Sequence, residues 1–221
     1  MCGRISRTSP REVIAEEFGV TRFVNVDLRP RYNVAPSQLV EAIICVGDEK
    51  RLGPMRWGFV SPTARDPKLA PINARAETVA SSPLFRDAFR RHRCLVVADG
   101  FYEWRKDGRT KTPFFIRLRS RRPFGFAGIW SARRGEVGNR LVTCAIVTCP
   151  ANELVATIHD RMPVILPVGA RDRWLDPAAG EKELHEMLVP LPAKEFETYP
   201  VSTIVNSPQS DSVECRLRLS G

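Results

Sequence analysis

Histidine is nearly absent, with three residues in a chain of 221. No two of the six cysteines (Cys2, Cys45, Cys94, Cys144, Cys149 and Cys215) stand in a Cys-x-x-Cys pair, so zinc-ligand spacing is missing and no metal centre is expected. The chain has no apolar run long enough to span a bilayer, and no basic start followed by an apolar stretch that would mark a signal peptide. An even cysteine count is weak evidence for disulfides at this length, and a reducing cytoplasm fits best. Lysine is scarce too. Six of the 34 basic residues are lysine and 28 are arginine, against 25 acidic residues and a net charge of +9. Arginine grips phosphate with a planar fork, so nucleic acid is the leading partner class, although a compositional bias would inflate arginine as well.

What is present begins at Met1-Cys2-Gly3-Arg4. Initiator methionine is commonly trimmed before a small residue, which would leave Cys2 with an α-amine and a thiol on adjacent carbons. The amine has an unperturbed pKa of roughly 7.7–8.0 and attacks aldehydes to give Schiff bases. The neighbouring thiol can then close a five-membered thiazolidine. Cys2 could equally be a small buried hydrophobe in a first strand.

Along the chain, Ser9-Pro10-Arg11-Glu12 reads as a capped helix start, with Val13, Ile14 and Phe18 on the apolar face and Gly19 as terminator. The proline-rich stretch from Arg29 to Pro36 reads as an ordered loop. Leu39–Val46 and Arg51–Phe59 form a hairpin about Gly47-Asp48, and 61–71 is a surface loop. Ser82-Pro83 opens a second helix with a basic side of Arg86, Arg90, Arg91 and Arg93. Strands follow at 94–98, 101–106, 113–118, 124–130, 141–149 and 162–166, with a turn at 135–139. Short helices are expected from Pro150 to about His159, at 170–175 and at 181–188, and the end reads as irregular. Many short strands with few helices indicate an α+β fold, mostly antiparallel sheet and barrel-like, with a few peripheral helices.

Three polar residues break this pattern. Glu103 lies between Tyr102 and Trp104, so in a strand it faces away from both rings; enclosed there, it becomes a general acid or base near neutrality. His159 sits at a helix–strand junction beside Asp160 and Arg161, placed for proton transfer, phosphate contact or plain helix capping. Asn73 begins Asn73-x-Arg75-x-Glu77, which shares one face if extended, and its amide can orient a sugar or carbonyl.

The segments Met1–Arg4, Arg31–Pro36, Ile72–Glu77, Ala98–Trp104, His159–Pro163 and Val205–Pro208 together resemble the SOS response associated peptidase (SRAP) family over nearly the whole chain. The resemblance implies one domain over 1–221 and removal of Met1 by the chain itself. It further implies a thiazolidine crosslink between Cys2 and ring-opened abasic sites in single-stranded DNA, with weak lyase chemistry. In family terms Cys2 is the nucleophile, Asn73 positions amine and sugar, Glu103 is the acid/base, and His159 assists Schiff-base chemistry. No cofactor or metal is implied. Arg4, Arg75 and Arg161 are the expected phosphate contacts, Trp57, Gly58 and Phe59 the expected stacking surface, and Asn33 and Glu77 belong to the same DNA-facing motifs. A monomer in the cytoplasm, nucleoid-associated when DNA-bound, is expected. One departure stands out: family members often carry tryptophan after the Trp-Gly segment, whereas 61–67 has no aromatic residue. The alternative from another class is an N-terminal-nucleophile amidohydrolase of the glutamine amidotransferase type, which also begins Met-Cys-Gly. A plain DNA-binding module and a general cysteine protease are weaker rivals.

Overall fold

A computed structural model describes residues 2–63, 70–134 and 140–219. The turn expected at 135–139 and most of the loop at 64–69 lie outside the described residues. Fourteen strands and four α-helices follow in the order β1 (Ile5–Arg7), α1 (Arg11–Phe18), β2 (Arg22–Phe23), β3 (Arg31–Val34), β4 (Leu39–Val46), β5 (Glu49–Trp57), β6 (Asn73–Arg75), α2 (Arg86–Arg91), β7 (Arg93–Ala98), β8 (Gly100–Asp107), β9 (Thr110–Leu118), β10 (Phe124–Arg134), β11 (Arg140–Pro150), β12 (Arg161–Pro163), β13 (Ile165–Leu166), α3 (Val168–Leu175), α4 (Glu181–Glu186) and β14 (Phe196–Pro200).

The strands make two sheets. In the larger one the antiparallel run β11-β10-β7-β4-β5 closes on itself, because β5 also pairs β11 in parallel through Arg56↔Thr143 and Trp57↔Cys144. The result is a five-stranded mixed barrel. β7 lies within it and is buried along its full length, as its Cys-Leu-Val-Val-Ala run requires. The smaller sheet is wholly antiparallel, in the order β14-β9-β8-β1-β3. One apolar cluster joins them, drawing Phe101, Ile116 and Phe196 from the small sheet and Trp57, Leu95, Phe126 and Ile146 from the barrel. Among the described residues no helix is long and apolar enough to cross a membrane.

The turns carry out what the sequence asks of them. Gly19 ends α1 at φ 64°, donating to the Ala15 carbonyl. Gly100 permits a close approach: a Cβ there would stand 2.2 Å from Phe115 Cζ and 2.9 Å from the Ile116 carbonyl oxygen.

Several expectations are corrected. Ser9 does not cap α1; its hydroxyl donates to Asp99, which also accepts from the Ser9 N–H at 2.9 Å. Asp99 thereby ties the exit of β1 to the β7–β8 junction. The stretch 29–36 is not all loop, because Pro30 and Pro36 flank a four-residue edge strand, β3, without interrupting it. The segment after Pro150 holds only a 3-10 turn, Val155–Thr157, whose Val155 N–H donates to Asn152 Oδ1 at 2.9 Å. The second helix starts at Arg86, and its Arg93 is buried just beyond it, donating to the carbonyls of Phe89, Trp174 and Asp176. The end is not irregular throughout, since β14 pairs β9 over five residues.

Candidate active site

The register of β1 with β8 assembles the site. Ile5 lies opposite Phe101 and Ser6 opposite Gly100, and the Tyr102 N–H donates to the Arg4 carbonyl at 3.0 Å. Continued by two residues, that register sets Gly3 opposite Glu103 and carries Cys2 to the same end of the sheet. From the barrel side, β6 runs parallel to β11 with Asn73 beside Ile146. Asn73 Nδ2 donates to the Cys2 carbonyl at 2.8 Å, while its buried Oδ1 has no hydrogen-bond partner. That oxygen is an acceptor held ready at the N-terminal strand.

Cys2 is fully buried. Burial pushes its thiol well above the usual range, and the charge of Glu103 pushes it further, so the sulfur is held as a thiol. Glu103 is 3% exposed. Burial raises its carboxyl above 4.5, while the nearby His159 pulls the other way. The result is a carboxyl shifted toward neutrality, which suits proton transfer in either direction. His159 Nδ1 lies 3.0 Å from the Arg161 N–H and 2.8 Å from Asp160 Oδ1. The first contact needs a lone pair on Nδ1 and the second a proton there, so the ring can make only one of them at a time.

Glu103 and His159 open onto a cleft of about 360 Å³, which Trp104, Lys106, Lys111 and Asn206 also line. Cys2 and Asn73 are not among the residues that line it. Trp104 Nε1 donates to Asn206 Oδ1 at 2.7 Å, and the Arg4 guanidinium carbon stands 5.8 Å from the indole centroid. Among the described residues, no group of three histidine, cysteine or acidic side chains could hold a metal ion.

The expected DNA contacts divide. Arg75 is exposed on β6 and Arg4 is half-buried at the cleft edge. Arg161 is held in a bidentate pair by Glu77, at 2.6 and 3.0 Å, and also donates to the Thr148 carbonyl. Glu77 does not share the strand face of Asn73 and Arg75. β6 ends at Arg75, whose carbonyl accepts from the N–H groups of Thr78 and Val79, so the chain turns before Glu77. Asn33 is fully buried, donating to the carbonyls of Val205, Ser207 and Ser210 and accepting from Arg4 at 2.7 Å. It is an internal brace. Trp57 and Phe59 are core residues, at 0% and 1% exposure, with the Trp57 indole N–H spent on the Ile72 carbonyl. Gly58 is buried between them, its N–H donating to Cys144. None of these three offers a stacking face.

Sequence reasoning missed Lys106 and Lys111. The signal was available: they flank the Asp107-Gly108 turn at positions that pair directly, Lys106↔Lys111, in a chain with few lysines. Like charges directly opposite are unfavourable unless an anion joins them.

Residues 1–208 match the family profile "SOS response associated peptidase (SRAP)". The chain is 43% identical over 219 residues to Abasic site processing protein YoqW of Bacillus subtilis, covering 97% of this chain and 98% of that one. It is 34% identical over 222 residues to Abasic site processing protein YedK of Escherichia coli, covering 97% and 98%. A crystal structure of a Bacteroides thetaiotaomicron protein superposes with a TM-score of 0.87 at 25% identity, covering 98% of this chain and all of that one.

Proposed function

Because this chain belongs to the SRAP family, we propose that it processes abasic sites in single-stranded DNA by forming a covalent thiazolidine crosslink through Cys2. We take residues 1–221 as one domain, an assignment supported by the apolar cluster common to barrel and sheet. The observation that carries the reading is the grip of Asn73 on the Cys2 carbonyl beside the buried carboxyl of Glu103.

With Met1 attached, the Cys2 nitrogen is an amide and cannot attack. Hydrolysis of the Met1–Cys2 bond consumes one water and frees the amine. A ring-opened abasic sugar is an aldehyde at C1′. The amine adds to it and water leaves, giving a Schiff base. The thiol then adds across the C=N bond, its proton passing to nitrogen, and the thiazolidine ring closes. This last step removes the iminium that would otherwise drive β-elimination and strand cleavage.

The side chains divide the labour. Asn73 anchors Cys2 through Nδ2 and offers Oδ1 to the new amine or to a sugar hydroxyl. Glu103 protonates the sugar ring oxygen and the departing water, and it returns a proton to the thiazolidine when the crosslink reverses. His159 supports the charge that develops on the Schiff base. The phosphates are taken by Arg4, Arg75, Lys106 and Lys111.

The test is intact mass after incubation with a single-stranded oligonucleotide carrying one abasic site. A stable adduct on protein lacking Met1, absent from Cys2→Ala, is the expected result. No adduct on correctly trimmed protein, together with ammonia release from glutamine, would favour the amidohydrolase instead.

A further inference from the structure

The reactive residues come from the first three-quarters of the chain, yet one wall of their cleft is built by its far end. After β14, residues Thr203–Asn206 form a 3-10 turn capped by Ser202, whose side chain accepts from the Ile204 N–H. The exposed Asn206 lines the cleft and accepts the Trp104 indole N–H at 2.7 Å. The carbonyl of Val205 accepts from Arg4 Nη1 at 2.5 Å. The turn is itself anchored through Asn33, and Asp211 accepts from the Tyr32 and Asn33 N–H groups at 2.6 and 2.9 Å.

Trp104 is half-buried at the end of a hairpin whose next residues, Arg105 to Thr110, are all exposed. An indole in that position would turn about its side-chain bonds without a partner for its N–H. Binding a ligand against it would then carry the cost of ordering it. A single acceptor, Asn206 Oδ1, removes that freedom in advance. The indole is thereby fixed as part of the cleft that Glu103 and His159 also line, with the Arg4 guanidinium over its ring.

We propose that Asn206 is a positioning residue for abasic-site capture. It fixes the Trp104 indole as the wall against which the lesion-bearing strand is laid, and so acts on substrate binding rather than on bond formation. The inference rests on the crosslinking reading given above, and its test separates the two.

The experiment is single-turnover crosslinking of trimmed protein to an abasic oligonucleotide over a range of DNA concentrations. It is combined with fluorine NMR of protein labelled with 5-fluorotryptophan at its four tryptophans. In Asn206→Ala the Trp104 resonance should shift or broaden while those of Trp57, Trp130 and Trp174 stay put, which also reports that the fold is intact. The half-saturating DNA concentration should rise about three- to ten-fold, the range expected for one lost hydrogen bond, with the plateau rate within about two-fold of wild type. In a Trp104→Phe background, which lacks the indole N–H, Asn206→Ala should add little, because the two residues act as one unit. Asn206→Asp keeps an acceptor and should return the Trp104 resonance toward its wild-type position. Unchanged half-saturation in Asn206→Ala, an unmoved Trp104 resonance, or a full effect persisting in Trp104→Phe would each overturn the proposal. Failure of wild-type protein to crosslink at all would instead overturn the reading it rests on.

Discussion

Glu77 is predicted to act as a brake on DNA binding, and Glu77→Gln should release it. Four cations enter this prediction: Lys106 and Lys111 line the cleft, Arg4 contacts Trp104 and Asn206 on its wall, and Arg75 is exposed on β6. Among the described residues none of them has a carboxylate within salt-bridge range, and the partners of Arg4 are neutral oxygens. Arg161 differs, because Glu77 spans its guanidinium with both oxygens. The hydrogen bond from Arg161 holds the Glu77 carboxyl below the ordinary range, so the mask is fully charged at neutral pH. Single-stranded DNA binding loses about 0.7 of a decade in affinity per decade of salt for each phosphate neutralised. Four contacts give a slope of about −2.8, or roughly a 50-fold loss between 50 and 200 mM salt. Glutamine keeps an acceptor for Arg161 but removes the charge, so a fifth contact becomes available. The slope should steepen to about −3.5, and affinity at 0.1 M salt should rise about five-fold. Fluorescence anisotropy of Cys2→Ala protein on a labelled, lesion-free strand measures both. An unchanged slope with unchanged affinity would remove Arg161 from the DNA path. A shallower slope would mean that Glu77 orients Arg161 rather than masking it.

Other outcomes are expected from single changes. An extra residue between Met1 and Cys2 should abolish crosslinking by displacing the amine from Asn73, with mass spectrometry as the readout; undiminished adduct would sink the amine mechanism. Glu103→Gln should slow crosslink reversal, and the wild-type reversal rate should fall as pH rises through the elevated Glu103 pKa; equal rates in the two proteins would remove Glu103 from that step. The same substitution should raise thermal stability at pH 8. Glu103 has a folded pKa above 4.5, so its contribution is fully present below that value and is lost as pH rises through the folded pKa; the melting temperatures of the two proteins should therefore converge near pH 4. Gly100→Ala should cost about 1–3 kcal/mol by overpacking, since the added methyl meets a Phe115 ring and a backbone carbonyl at once; denaturant melts will show this, and a wild-type midpoint would contradict it.

The parts of this fold that can be read from the chain are the local ones. The β4–β5 hairpin is visible because Gly47 and Asp48 separate two apolar runs, and β8–β9 because Asp107-Gly108 does the same. What escapes is non-local. β14 has no neighbouring strand in sequence and finds β9 some 80 residues earlier. The parallel seam between β5 and β11 leaves no mark in either segment. At the site, Glu103 is marked by its place between Tyr102 and Trp104, but His159 sits among charged neighbours, and the roles of Cys2, Asn73, Glu103 and His159 are legible only through the family resemblance. The burial of Trp57 and Asn33 is not legible, because both depend on carbonyls brought from distant segments, Ile72 for one and Val205 to Ser210 for the other. The neutralisation of Arg161 was hidden for the same reason, its partner being 84 positions away.

The bonds from Arg4 and Asn33 to the carbonyls of Val205, Ser207 and Ser210 also set a clock. A ribosome adds about 5–20 residues per second. The N-terminal strand therefore waits roughly 10–40 s after its own synthesis before the residues that brace it exist. Throughout that interval the nascent chain carries Cys2 without the braces supplied by its far end. A chain that terminates early, or is clipped before residue 205, never acquires the cleft wall that Asn206 supplies, so under the proposed mechanism lesion capture belongs to the finished polypeptide alone.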